Sequence, residues 1–335
     1  MIVHSPLVSV LIPPYNVEKF VERCLLSVFG QTYPSLEIII IVDDASPDNS
    51  RAIVEQLIKT HKKEEVCRLV THEQNKGLAE ARKTAIERSI GEYIFFLDSD
   101  DYWDNEEFVS RCIEKATQCN SQVLIADYIA DYPKKQVYYS QRPPGISGRI
   151  CAHALLKGEL QGFLSNKCFD SRHYKQYALK HTQGQNLLED LRSIFPLFLH
   201  TERIDYLPIS SIHYEQKNES SYISTIKTEN LKQLFTAIDD CREYATGLFG
   251  FSEFESDFEI AYLNAAKMFY DKAPYNQYKT IREYKPLNPK RIASMQYHPL
   301  IRFRFACQLS NSSVLRYLGY FLCKTEQKIK RMMRA

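Results

Sequence analysis

Several signatures are missing from this 335-residue chain, and each absence removes a class of function. No apolar run approaches the ~20 residues that span a bilayer, so the chain reads as soluble or peripheral. The opening MIVHSPLVSV has no basic segment followed by a long apolar region, which predicts no signal peptide. Nine cysteines are scattered without a C-x-x-C pair, and their number is odd. That pattern predicts a reducing, intracellular setting rather than a disulfide framework. Neither G-x-G-x-x-G nor G-x-x-x-x-G-K-[ST] occurs, so a dinucleotide-binding fold and a P-loop are both unsupported. The formal net charge is only +2, which argues against a general polyanion binder and hence against a nucleic-acid partner.

What is present is a repeating pattern. Length predicts two domains or one large one, and 44% hydrophobic residues suffice for a sizeable core. Leu7–Ile12 is a short β-branched run ended by Pro13-Pro14, followed by Tyr15-Asn16. A tyrosine at a strand end can stack on a planar base. Apolar spacing predicts a helix from Val17 to about Gly30. Leu36–Val42 contains four consecutive isoleucines, as suits a strand covered on both faces, and runs into Asp43-Asp44. A carboxylate there can accept from a base N–H, while Ser46 or Asp48 can cap the next helix, roughly 49–61. Val66–Thr71 is a weaker strand. Asn75-Lys76-Gly77 leads into a helix reaching about Ser89, where Lys76 and Arg82 can face phosphates.

The stretch Gly91–Trp103 (GEYIFFLDSDDYW) is the centre of the pattern. An apolar strand, Tyr93–Leu97, delivers Asp98, Asp100 and Asp101 to its carboxyl end, where open α/β sheets bind ligands. Three acids together repel one another, and a hard cation relieves that repulsion. The β-α-β-α-β-α-β order predicts a doubly wound sheet with acids, an aromatic and cations at one edge. Such an edge suits a nucleoside diphosphate only with a divalent metal between the like charges.

Five segments in register resemble the successive motifs of family 2 glycosyltransferases with the GT-A fold: Val8–Asn16, Ser27–Thr32, Val42–Ser46, Asn75–Arg82 and Gly91–Asp101. The match covers about the first 110 residues. The resemblance implies an α/β GT-A fold, a Rossmann-like and mostly parallel sheet flanked by helices, with a helical C-terminal extension. It implies an enzyme that uses a nucleotide-diphosphate sugar, UDP favoured, with Mg²⁺ or Mn²⁺. By the same resemblance Pro13 and Tyr15 line the nucleobase pocket, and Asp44 accepts from the base with Asp43 in support. Asn75 and Arg82 contact the donor nucleotide. Asp98-Ser99-Asp100 is the D-x-D motif, with Asp100 on the metal and Asp98 on the ribose or a neighbouring cation. Asp101 is left to cap the helix near Asn105–Ala116.

Gln122–Ile129 reads as a further strand, and Tyr132–Gly148 as a hairpin or loop. Ser165–Phe169 is similar to a family segment that packs near the donor. Glu189-Asp190 opens an apolar helix and by itself is a capping device. The resemblance instead makes Asp190 the base that deprotonates an acceptor hydroxyl, in an inverting displacement. Ile212–Ser221 resembles the family's closing segment, with His213 at an aromatic position. His213 is open to a phosphate or metal contact or to a structural role.

The expected domains are 1–225, with a nucleotide half (1–110) and an acceptor half (111–225), and a helical region, 226–335. Residues 310–335 hold six Lys/Arg against Glu326 alone. Val314, Leu318, Phe321, Leu322, Ile329 and Met332 share one helical face there. That face fits an anionic membrane surface or a protein partner. The expected setting is bacterial-type surface polysaccharide or lipid-linked glycan assembly, in the cytoplasm or on the inner face of its membrane. The alternatives are a sugar nucleotidyltransferase, which needs a Gly- and cation-rich loop where IPPYN stands, and an inactive assembly scaffold, which predicts loss of acids that are present.

Overall fold

A computed structural model of the chain describes residues 5–43, 46–178, 187–218, 228–250, 253–278 and 287–332. The chain divides into two compact units: residues 1–151 with 162–220, and residues 152–161 with 221–335.

The first unit is built on one sheet. Its early strands are β1 (Val8–Ile12), β2 (Leu36–Asp43), β3 (Cys67–His72) and β4 (Tyr93–Phe96), and they alternate with helices α1 (Val21–Phe29), α2 (Ser50–Thr60) and α3 (Leu78–Arg88). These strands pair in parallel, β3-β2-β1-β4. All five residues of β1 are buried, and Ile38, Ile39 and Ile40 of β2 are at most 2% exposed. Strands covered on both faces explain the unbroken apolar runs. One face of the sheet meets Val21, Cys24, Leu25 and Val28 of α1, with Val54 of α2. Chain order reverses between β1 and β4, each parallel to the other, and ligands bind outside the carboxyl ends of strands at such a point.

Beyond β4 the sheet becomes mixed. Strand β5 (Tyr102–Trp103) and helix α4 (Phe108–Cys119) lead to β6 (Val123–Tyr132), β7 (Lys135–Tyr139), helix α5 (Gly148–Lys157) and β8 (Lys167–Asp170). After α6 (Ser171–Tyr177) and α7 (Glu189–Leu199) comes the long β9 (Ile204–Glu215). The order continues β4-β8-β6-β9-β5, with β8 antiparallel to both neighbours and β6 parallel to β9. The expectation of a mostly parallel sheet thus holds for the first half. In the second half the short β6–β7 hairpin and the inserted β8 bring antiparallel pairs. The turn of that hairpin and its second strand, β7, lie in the Tyr132–Gly148 segment expected as a hairpin or loop, while its first strand is the expected Gln122–Ile129 strand extended to Tyr132.

Glu37 anchors the opposite edge. Its Oε1 accepts from the backbone N–H of Ile90 (2.6 Å) and Gly91 (3.0 Å), and from the Ser9 hydroxyl. Gly91 fits because a Cβ there would stand 2.5 Å from Ser9 Oγ and 2.9 Å from the Leu7 carbonyl oxygen.

The second unit is helical. It contains α8 (Thr228–Phe249), α9 (Glu255–Lys272), α10 (Pro299–Leu309) and α11 (Ser313–Met332). Leu234, Phe235 and Ile238 of α8 are buried, as are Phe258, Leu263 and Phe269 of α9. Among the described residues, no helix is long and apolar enough to cross a membrane.

Candidate functional site

The site forms where β1 and β4 end. Pro13 follows β1, and its carbonyl accepts from Ser99 Oγ at 3.2 Å, joining the first loop to the Asp98–Asp101 turn. Tyr15 is 39% exposed, as a stacking platform requires. Asn16 adopts a left-handed φ of 55°, and its N–H donates to Ser46 Oγ at 3.0 Å. Asp48 holds this loop: it accepts from Glu18 N at 2.8 Å and from the hydroxyls of Ser46 and Ser50. These bonds hold its carboxyl below the usual range despite burial. A cleft of about 530 Å³ opens here, lined by Asn16–Phe20, Asp48, Lys217 and Asn218. Asn75 is exposed and its side chain accepts from Gly77 N (2.8 Å), forming the turn that opens α3. Asp43 ends β2 beside His72, its side chain and all of Asp44 lying outside the described residues.

The acids after β4 separate into distinct environments. Asp98 keeps 27% of its side chain exposed and pairs with Arg82 at 2.8 Å. Asp100 accepts from Asn218 Nδ2 at 2.8 Å. Burial first, then the charge of Asp98, raises its carboxyl above the ordinary range. Asp101 does not cap a helix. It is fully buried, and its Oδ1 accepts from Glu215 N (2.8 Å) at the end of β9. Helix α4 begins only at Phe108, where Glu107 is the capping position and Asn105 turns the chain. The return of β9 over the turn, which local sequence does not reveal, removes Asp101 from solvent. Its Oδ2 has no hydrogen-bond partner, and burial with the charges of Asp100 and Asp98 pushes its carboxyl well up.

Arg82 joins the two halves of the site. Its side chain is 3% exposed, and its guanidinium reaches Asp98, Glu189 (3.0 Å) and Asp190 (2.5 Å). The E-D pair therefore does not cap α7: Leu188 stands at the cap with φ 56° and no side-chain bond is made there. Both acids point to Arg82 instead. Burial and the neighbouring Asp190 push Glu189 up. Burial also raises Asp190, opposed by Arg82 and Lys167. Lys167 is 2% exposed and donates to the Phe163 carbonyl and Asn166 Oδ1, each at 2.7 Å. Burial lowers its ammonium to about 7, with Asp190 opposing.

Arg23, which the sequence reading did not single out, donates to the Asp100 carbonyl (3.0 Å), pairs with Glu215 (3.0 Å) and lies 4.1 Å over the Tyr102 ring. Its position on α1 carries no local signal for these contacts. His213 is 4% exposed, stacked on Tyr102, with Nε2 at 3.0 Å from Asp104 and Nδ1 at 3.1 Å from Asp131. With both ring nitrogens engaged by carboxylates, it serves to pin β5 and β9 rather than to offer a free ligand.

Among the described residues, no group of three or more His, Cys, Asp or Glu side chains can hold a metal alone. Asp98 and Asp100 nevertheless offer oxygen ligands of the kind that a divalent ion takes. Asp100 carries a raised carboxyl beside Asp98, the condition that a cation relieves.

Residues 9–182, about half of the chain, match the family described as Glycosyl transferase family 2. The putative glycosyltransferase EpsH of Bacillus subtilis is 28% identical over 242 residues, covering 69% of this chain and 65% of EpsH. The uncharacterized glycosyltransferase EpsJ of the same organism is 37% identical over 133 residues, 40% of this chain and 37% of EpsJ. An Escherichia coli protein, UDP-Glc:alpha-D-GlcNAc-diphosphoundecaprenol beta-1,3-glucosyltransferase WfgD, is 41% identical over 97 residues, 29% of this chain and 36% of WfgD. The chain thus spans less than two thirds of the length of these relatives. The crystal structure of S. aureus TarS 1-349 in complex with UDP-GlcNAc superposes with a TM-score of 0.55 at 17% identity, over 97% of this chain and 92% of that one. This likeness concerns the fold, which is the expected α/β GT-A arrangement.

Proposed function

The chain belongs to glycosyl transferase family 2, and from that premise we propose that it is an inverting, metal-dependent glycosyltransferase. It moves a sugar from a nucleotide-diphosphate sugar, with a UDP-sugar favoured, to a hydroxyl of a glycan or lipid-linked acceptor in surface polysaccharide assembly. The relatives' names support this setting: one is a UDP-Glc-dependent transferase to a diphosphoundecaprenol-linked sugar. The same reading puts the enzyme in the cytoplasm, in peripheral contact with the inner face of the cytoplasmic membrane through residues 310–335. Residues 1–110 serve the nucleotide and 111–225 the acceptor, with 226–335 as a helical region.

The observation that carries this reading is the Arg82 cluster. One buried guanidinium holds Asp98 of the D-x-D motif together with Asp190, which lies 108 positions beyond Arg82 in the chain. Donor-side acids and a candidate base thereby share one small volume.

Pro13 and Tyr15 flank the base, with Asp43 and Asp44 as its hydrogen-bonding edge. Asn75 lies on the donor side. Arg82 reaches a donor only by exchanging one of its three carboxylate partners, so its first task is to hold them. Asp100, assisted by Asp98, would hold Mg²⁺ or Mn²⁺, which supplies charge stabilisation to a departing diphosphate. Asp190 takes the proton of the acceptor hydroxyl. The oxygen then bonds to the anomeric carbon as the bond to the diphosphate oxygen breaks, and the configuration inverts. Burial raises the carboxyls of both Glu189 and Asp190, and Arg82 opposes the rise at each.

Turnover of a panel of sugar nucleotides with Mn²⁺ tests the reading. Hydrolysis or transfer is expected for one donor, lost in Asp100→Ala. In Asp190→Asn, transfer should fall by about 10²–10⁴ while donor binding persists. Near-normal transfer by folded Asp190→Asn would remove the base assignment.

A further inference from the structure

Helices α10 and α11 pack as a hairpin in the second unit. They meet at Gly319, where a Cβ would lie 2.8 Å from Gln308 N and 2.9 Å from the Arg304 carbonyl oxygen. The inward side of this hairpin buries Phe305 and Cys323 beside two polar side chains that reach partners. Arg304, 5% exposed, donates to Glu326 at 2.6 Å and to Asp271 at 2.8 Å. Gln308 donates to Tyr278 Oη at 3.0 Å.

The outward side of α11 is apolar. Val314 is 75% exposed, Tyr317 58% and Phe321 57%, with Leu318 and Ile329 exposed on the same stripe. Their spacing, repeating every three or four positions, is that of a face an amphipathic helix normally buries. Leu300 and Phe303 of α10 are exposed as well. Lys328 is exposed and Lys324 half-buried along α11. Glu326, the lone acid in residues 310–335, is turned inward onto Arg304. Lys324 and Lys328 thus border the apolar stripe.

We propose that the outward stripe of α11, Val314, Tyr317, Leu318 and Phe321, inserts into the headgroup region of an anionic bilayer, with Lys324 and Lys328 meeting its charge. This rests on the peripheral-contact reading and deepens it, by assigning the contact to one face of one helix. An apolar face bordered by cations is complementary to a lipid surface that offers both apolar depth and negative charge. A second copy of the same face would cover the apolar residues but bring like charges together, so the bilayer is the better match.

Sedimentation of the full chain with sucrose-loaded vesicles tests the assignment, using phosphatidylcholine alone and phosphatidylcholine with phosphatidylglycerol. The wild type should sediment with the anionic vesicles, and less so as salt rises. Leu318→Glu with Phe321→Glu should lower partitioning about tenfold or more, and Lys328→Ala about fivefold. Unchanged thermal melts by circular dichroism would show that these exposed substitutions leave the fold intact. Wild-type binding that the glutamate pair does not weaken would overturn the face assignment and leave peripheral contact standing. Absence of wild-type binding to either vesicle would overturn both. A dimer in sedimentation velocity that the glutamate pair dissolves, without vesicle binding, would assign the stripe to self-association and also overturn the proposal.

Discussion

Arg82 and Asp98 are joined at 2.8 Å, across the gap between a helix and the turn after the central strand. The same guanidinium holds Glu189 and Asp190, so three carboxylates depend on one buried cation. Removing it leaves buried like charges facing one another. Arg82→Met is expected to cost about 3–5 kcal/mol of stability at neutral pH, read by urea unfolding. In the variant Glu189 and Asp190 lose the cation that opposes their rise, so their folded pKa values climb further. Stability then falls as pH rises through them, and the deficit should shrink on acidification. Arg82→Lys restores a charge but not the fork, and should recover only part of the loss. A deficit independent of pH would mean that lost packing, not charge, is responsible.

Lys167 gives a second pH signature. Burial lowers its folded pKa to about 7, below its value in the unfolded chain. Between those two values the unfolded chain binds the extra proton, so the contribution to stability grows with pH. The difference in unfolding free energy, wild type minus Lys167→Met, should rise by up to about 1.4 kcal/mol per pH unit from pH ~7 to ~10. Urea titrations across that range measure it. A flat difference would show that the ammonium keeps its proton in the folded protein.

The legibility of the site followed the range of its contacts. Strands β1, β2 and β4 were readable because burial on both faces demands unbroken apolar runs, and their ends located Pro13, Tyr15 and Asp98 to Asp101. Helix α3 was readable, but not the fate of Arg82, since two of its partners come from the start of α7. Asp101 looks like a cap in local sequence because the strand that buries it returns 114 positions later. Lys167 and Arg23 owe their surroundings to the same long-range closures, and no periodicity encodes those. Local sequence leaves the role of His213 open for the same reason: Asp104 and Asp131 reach it from other strands or turns.

Gly91 tests how the central strand is seated. A methyl group there would meet Ser9 Oγ at 2.5 Å and Ser9 N at 2.6 Å. These atoms belong to a neighbouring strand and its Glu37 network, and the backbone ones cannot swing aside. Gly91→Ala should destabilise by about 1–3 kcal/mol through overpacking. The same displacement moves Asp98 and Asp100, a few residues on. Sugar-nucleotide turnover should therefore fall more than the fraction of folded protein does. Proportional losses in thermal melts and turnover would indicate a purely structural position.

Asp100 and Asp101 are adjacent acids with different expected tolerances. Asp101 is fully buried, with one oxygen on Glu215 N and the other without a partner. Burial and the charges of Asp100 and Asp98 push its carboxyl well up, toward the neutral form. A neutral amide of the same shape can accept the same backbone bond. Asp101→Asn should therefore change stability by no more than about 1 kcal/mol and keep Mn²⁺-dependent turnover. Asp101→Ala should cost more, because Glu215 N loses its acceptor inside the protein. Asp100→Asn removes the carboxylate proposed to meet the metal. It should abolish Mn²⁺-dependent turnover while leaving stability unchanged or raised, since a charge beside Asp98 is gone. Isothermal titration of nucleoside diphosphate with Mn²⁺, alongside thermal melts, separates the two. If Asp101→Asn lost metal-dependent binding and Asp100→Asn kept it, the metal ligand would be the inner acid, and β9 would have to open for an ion to enter.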